Sequence, residues 1–226
     1  MNKRIIIASD LHMDFSLIED ESADFLIVSG DFCNSYNEID YVKLKHKFNY
    51  LSKRFNYIVF TLGNHDSYIL NNLSDFKSSI PSNCYLLINS FLEIGGLTFW
   101  GSPNSLRFYD KGAFSCDEEE LSNIYKNIPN NLDFLITHTP PYSILDSARG
   151  NFSGSKALLK SVKDKKPRIH SFGHIHDSSG VFTNNDTMFI NSAVDSLNFN
   201  NNQGPVRLCY SLKLRKVLFY SFLLGE

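Results

Sequence analysis

Gly63-Asn64-His65-Asp66 closes an apolar run, Tyr57-Ile58-Val59-Phe60-Thr61-Leu62. An amide oxygen, an imidazole and a carboxylate directly after a buried strand are unusual as structure and ordinary where chemistry is done. The same form recurs four times. Asp10-Leu11-His12 follows Ile5-Ile6-Ile7-Ala8-Ser9, and Gly30-Asp31 follows Phe25-Leu26-Ile27-Val28-Ser29. His138 follows Phe134-Leu135-Ile136-Thr137, and Gly173-His174-Ile175-His176 follows Ile169-His170-Ser171-Phe172. Ligands of α/β sheets bind beyond the carboxyl ends of the strands, so strands lying side by side would bring all five motifs to one edge. Asp10/His12 and His174/His176 are i, i+2 pairs, which extended backbone would project to one side.

With His65 set aside, the donors are Asp10, His12, Asp31, Asn64, His138, His174 and His176. That set is too large for one metal ion and suits two that share a carboxylate. Its nitrogen and oxygen atoms, with no thiolate, fit Mn, Fe or Zn, and fit Mg less well because of the imidazoles.

The elements that must position these residues are readable from periodicity. Short apolar strands are expected over 4–9, 25–28, 57–62, 134–136 and 169–172. A hairpin over 92–100 is expected to turn at Gly95-Gly96, with strands at 84–88 and, in the tail, at 180–184, 187–193, 206–214 and 217–223. Helix-spaced Tyr41, Leu44, Phe48, Leu51 and Phe55 predict a helix over 38–55. Further helices are expected over 67–80, over 117–126 with Ser115 as N-cap, and over 155–166, where Pro167 stops the helix. The Asn-rich segment 198–203 reads as a mobile loop. The order points to one α/β domain over residues 1–226, with two packed sheets flanked by helices.

Composition bounds the function classes. A formal net charge of −2 gives no basic field for non-specific nucleic-acid binding. Cys33, Cys84, Cys116 and Cys209 are widely spaced and form no C-x-x-C pair, which suits free thiols in a reducing compartment. The first apolar run is too short for a signal peptide, and no apolar stretch is long enough to span a membrane. A soluble, cytoplasmic protein is expected; the oligomeric state stays open.

The series Asp10-x-His12, Gly30-Asp31, Gly63-Asn64-His65-Asp66, His138 and Gly173-His174-x-His176 resembles the calcineurin-like metallophosphoesterases. The resemblance implies a four-layer α/β/β/α sandwich and a dinuclear metal centre. One metal would take Asp10, His12, Asp31 and His176, and the other Asp31, Asn64, His138 and His174. A narrower likeness lies in Gly101-Ser102-Pro103, Thr137-His138-Thr139-Pro140-Pro141, Pro167-x-x-His170-x-Phe172-Gly173-His174-Ile175-His176 and Ile190-Asn191-Ser192-Ala193. These are similar to the small MPPED-type phosphodiesterases. Phe32-Cys33-Asn34 after Gly30-Asp31 departs from the G-D-x-V-D-R-G pattern of the protein Ser/Thr phosphatases.

The implied activity is hydrolysis of a small phosphodiester of cyclic-nucleotide type, with a metal-bridging hydroxide as nucleophile. His65 would be the general acid, and Asp66 would orient it or a ligand. Arg149 and Asn104 are candidates for substrate contact, and Asn191 for reaching the site from the next strand. His170 reads as a packed or supporting histidine. A phosphomonoesterase or protein phosphatase, a nucleotide pyrophosphatase, and a non-catalytic scaffold of the same fold are the alternatives.

Overall fold

The computed structural model describes residues 1–34, 38–107, 112–194 and 204–223. The chain runs through β1 (Asn2–Ala8), β2 (Ala23–Ser29), α1 (Glu38–Leu51), β3 (Phe55–Thr61), α2 (Ser67–Asn71), α3 (Leu73–Ser79) and β4 (Cys84–Leu86). The hairpin β5 (Ser90–Ile94) and β6 (Leu97–Ser102) leads to the short pair β7 (Ser105–Leu106) and β8 (Ser115–Cys116). Then come α4 (Glu118–Tyr125), β9 (Phe134–Thr137), the two-residue strands β10 (Ser147–Ala148) and β11 (Asn151–Phe152), α5 (Lys156–Lys165) and β12 (Ile169–Phe172). A 3₁₀ turn at His176–Ser178 precedes β13 (Gly180–Thr183), β14 (Met188–Asn191), β15 (Val206–Ser211) and β16 (Lys216–Phe222).

Among the described residues the main strands form two six-stranded sheets, ordered β16-β15-β1-β2-β3-β4 and β13-β14-β12-β9-β6-β5. β1 to β4 run parallel, as do β6, β9, β12 and β14. The near-continuous apolar runs follow from burial of both strand faces. Ile5, Ile7, Phe25, Ile27 and Val59 point between the sheets, against Phe99, Phe134, Ile136, Ile169 and Ile190. Their neighbours Ile6, Leu26, Val28, Ile58 and Phe60 point the other way, onto Leu44 and Phe48 of α1, Ile69 of α2 and Phe76 of α3. A third core packs Leu135, Phe172 and Phe189 under Leu121 and Tyr125 of α4 and Leu158 and Val162 of α5. The result is the expected α/β/β/α layering.

The helices differ from the sequence reading at three places. α1 ends at Leu51, and Phe55, which continues its apolar spacing, is instead the buried first residue of β3. The helix expected over 67–80 breaks at Asn72, whose φ is −120° and whose side-chain amide donates to the Tyr68 carbonyl at 2.9 Å. That bond competes with helix continuation. Ser115 lies in β8; the N-cap of α4 is Asp117, which forms a capping box with Glu120. The loop expected at 198–203 lies outside the described residues. The four cysteines are free and buried, and no helix among the described residues is long and apolar enough to cross a membrane.

Candidate metal centre

The parallel strands of both sheets end at one common edge. Ser9 and Ala193 form an isolated parallel bridge that joins the end of β1 to the end of β14. The hydroxyls of Ser29 and Ser171 meet at 2.7 Å and pin β2 to β12. The loops then interlock: Asp10 N–H donates to Gly30 O at 3.0 Å, His12 N–H to Asp31 O at 3.1 Å, and Gly173 N–H to His138 O at 3.1 Å.

This framework gathers two groups of metal-competent side chains, Asp10/His12/His176 and Asp31/His138/His174, each with its donor atoms within 4.8 Å of one another. The backbone that does this is not extended, as the i, i+2 reading supposed. Asp10, His12, Asp31 and His174 have φ of 54°, 43°, 52° and 70°. Non-glycine residues there cost of the order of 1 kcal/mol each and concentrate at functional sites. His174 and His176 accordingly do not act as a pair; they serve different groups. Two glycines make the approach possible: a Cβ on Gly63 would overlap Asp31 Oδ1, and one on Gly173 would overlap Asp10 Oδ2 and Ser9 Oγ.

Hydrogen bonds orient the imidazoles. His138 Nδ1 faces the Ser29 carbonyl at 2.9 Å and His12 Nδ1 faces the Cys33 carbonyl at 3.2 Å. A carbonyl only accepts, so each Nδ1 carries its hydrogen and Nε2 is left as donor atom for a metal. His138 Nε2 faces Asn64 Oδ1 at 2.8 Å and Asp31 Oδ2 at 3.2 Å. Asn64 thereby joins the second group, and three lone-pair-bearing atoms converge on one point, as a cation requires. In the first group His176 Nε2 lies 3.3 Å from Asp10 Oδ1, while both carboxylate oxygens of Asp10 accept the His174 N–H. The donor set fits two divalent ions.

The electrostatics agree. Burial would raise the Asp10 and Asp31 carboxyls, but His176 and His138 beside Asp10, and His138 beside Asp31, hold both below the usual range and so ionised. Burial would lower His138, yet the two aspartates push it up to about 9, so without a cation Nε2 also holds a proton, set between Asn64 and Asp31, which a bound ion would displace. Burial and the neighbouring His138 push His174 down to about 4, which keeps its imidazole neutral.

His65 lies at the rim, exposed, with its ring centroid 5.0 Å from that of His12. Its N–H donates to Asp31 Oδ1 at 2.8 Å, and its Nδ1 faces the Asn34 carbonyl at 3.2 Å. Asp66 is fully buried and its carboxylate accepts the N–H groups of Phe32, Cys33 and Gly63 at 3.0, 3.1 and 2.9 Å. It clamps the loops that carry Asp31 and Asn64, rather than the His65 ring. Burial and Asp31 push its carboxyl up to about 7.

The remaining candidates fall outside the two groups. Asn104 is buried, with its amide accepting from Ser102 Oγ and donating to the Phe114 carbonyl and Cys116 Sγ. It braces its own loop. Arg149 is exposed, at the turn between β10 and β11, a hairpin fastened beside His176 by a 2.8 Å bond from Ser178 Oγ to the Ser147 carbonyl. His170 is a packed histidine: Thr137 Oγ1 must donate to the Thr139 carbonyl at 2.7 Å, so it accepts from His170 Nε2 at 2.8 Å. Asn191 donates to both Leu145 O and Ile175 O, at 3.0 and 2.8 Å, and so holds the His174–His176 turn. Sequence reasoning missed the Ser29–Ser171 pin; its one signal was a serine within the last two residues of a buried strand in each sheet.

Comparison with known proteins accords with this geometry. A family model described as calcineurin-like phosphoesterase matches residues 3–178. A UPF0046 protein of Caenorhabditis elegans is 30% identical over 207 residues, covering 84% of this chain and 69% of that protein. Human metallophosphoesterase domain-containing protein 1 is 29% identical over 230 residues, covering 90% and 69%. The solved TT1561 protein of Thermus thermophilus shares the fold, with a TM-score of 0.67 at 14% identity, covering 99% of this chain and 100% of that one. The family match spans every motif whose side chains the two sheets gather into metal-competent groups, and the chain belongs to the calcineurin-like phosphoesterases, metal-dependent hydrolases of phosphoesters.

Proposed function

We propose that the chain is a dinuclear phosphodiesterase acting on small phosphodiesters of cyclic-nucleotide type, with Mn, Fe or Zn in both positions. The observation that carries this reading is the pair of adjacent donor groups with an exposed imidazole, His65, against one of them. Asp10, His12 and His176 would hold one ion, and Asn64, His138 and His174 the other, with Asp31 within reach of both groups. When bound, two such ions supply a water-derived nucleophile at neutral pH and offset the charge of the phosphoryl group. His65 delivers a proton to the departing alkoxide, with its ring orientation set through Nδ1 by the Asn34 carbonyl. Asp66 keeps the loops of Asp31 and Asn64 in register. Arg149 adds positive charge at the rim beside the His176 turn. The residues after Gly30-Asp31, Phe32-Cys33-Asn34, favour a small diester over a phosphoprotein.

The test is a paired assay of metal-stripped protein reconstituted with Mn²⁺, on bis-p-nitrophenyl phosphate and p-nitrophenyl phosphate, with bound metal counted in parallel and Asp31→Asn as the blank. Diester preference that the blank lacks is the expected result. Monoester preference would make the protein a phosphatase, and two bound ions without turnover on either ester would point to a scaffold or a very selective enzyme.

A further inference from the structure

β16 is the outermost strand of its sheet, and among the described residues no strand pairs with its outer side. Open edges template association, and monomeric proteins blunt them with short strands, charges, prolines or bulges. The other sheet ends follow that rule: β4 has three residues, β13 has four, and β5 carries Glu93. β16 has seven residues, no proline, and one charge, Lys216, at its first position.

Its middle is apolar and exposed, with Leu218, Phe219 and Tyr220 at 42%, 62% and 46%. A register shift leaves Leu218 without a partner on β15, but Phe219 and Tyr220 pair regularly with Cys209 and Leu208. Adjacent strand residues point to opposite faces, so exposure of both means that β16 overhangs its covering layers on either side. Beneath it, between β16 and the turn 184–187, runs a cleft of about 670 Å³ lined in part by Met188, Tyr210, Leu218 and Tyr220. A long, apolar edge with its one charge at the end, above an open cleft, is unlike a surface adapted to water.

The sequence of the strand suits one occupant. In an antiparallel pairing of two copies about Phe219, Phe219 faces Phe219, Leu218 faces Tyr220, and Lys216 faces the apolar Phe222. Each is a favourable cross-strand pair or a neutral one. The basic turn Lys213, Arg215 and Lys216 sets the direction. Parallel pairing would place these cations side by side, whereas the antiparallel one separates the two turns by about 20 Å. We propose that the chain self-associates through β16 paired antiparallel with β16 of a second copy, which joins two six-stranded sheets across a two-fold axis at Phe219.

The experiment uses the full chain. Light scattering after size exclusion, over loadings from about 1 to about 200 μM to cover the range of weak interfaces, should show the mass rising from 25.8 kDa towards twice that value. Phe219→Glu should stay at one chain mass throughout, with its thermal melt and phosphoesterase activity unchanged. Residues opposite each other across an antiparallel pair lie within disulfide reach. Phe219→Cys should therefore cross-link chain to chain under mild oxidation, and Lys216→Cys should not; the native cysteines are buried and give little background. A wild-type chain that stays monomeric, a dimer that survives Phe219→Glu, or cross-linking at 216 and not at 219 would each overturn the proposal.

Discussion

His65 is the residue that separates chemistry from metal binding. It belongs to neither donor group, and its tie to Asp31 runs through its backbone N–H, which alanine keeps. His65→Ala is therefore expected to retain the same metal content while turnover of esters with poor leaving groups falls by about 10²–10⁴, the usual worth of general-acid catalysis. p-Nitrophenyl esters need little protonation and should lose far less. Equal losses on both kinds of ester would assign His65 to substrate or structure instead. The six residues that the fold gathers into two groups could be picked out in the sequence, because Asp and His after apolar runs carry their chemistry in their type. Asp66 shows the limit: two of its three N–H partners, Phe32 and Cys33, lie more than thirty residues away, so its use as a loop clamp follows from the fold alone.

The elements that carry these residues act as much through where they stop as through where they run. β12 ends at Phe172, and Gly173 passes so close to Asp10 and Ser9 that any Cβ must push Asp10 aside. Gly173→Ala should thus spoil the Asp10/His12/His176 group and spare Asp31/His138/His174. Elemental analysis after Mn²⁺ loading should find about one ion per chain, half the complement that two such groups hold; two full equivalents would show that β1 yields without cost. The positions of the central parallel strands were readable because both of their faces are buried. Element ends were not, since they depend on local competition. Asn72 ends a helix by bonding back to Tyr68, and Phe55 satisfies a helical spacing while belonging to a strand. The left-handed residues Asp10, His12, Asp31 and His174 were equally hidden, because such backbone is imposed by the interlocked loops and not by residue preference.

At the scale of the molecule, each metal group draws on both sheets. Asp10 and His12 follow β1 of one sheet, and His176 follows β12 of the other. Asp31 follows β2, while His138 and His174 follow β9 and β12. Short polar links already join the two edges: the Ser9–Ala193 bridge and the Ser29–Ser171 hydroxyl pair. Two cations held across the same seam would fasten it far more strongly, and would offset the crowding of Asp10 and Asp31 as they do so. Because the seam runs through the inter-sheet core, metal should stabilise the whole fold and not a local loop. A ligand at a hundred times its dissociation constant stabilises by about 2.7 kcal/mol per site, so two filled sites give about 5.4 kcal/mol, which for a chain of this size is roughly 10–20 °C in Tm. Melting of chelator-stripped protein, with and without Mn²⁺, should therefore show one cooperative transition that moves up by that amount. In Asp31→Asn, where the carboxylate within reach of both groups has lost its charge, the shift should largely disappear. An unmoved transition despite two bound ions would mean that the unfolded chain holds them as tightly as the folded one, and that the sites do not depend on the seam.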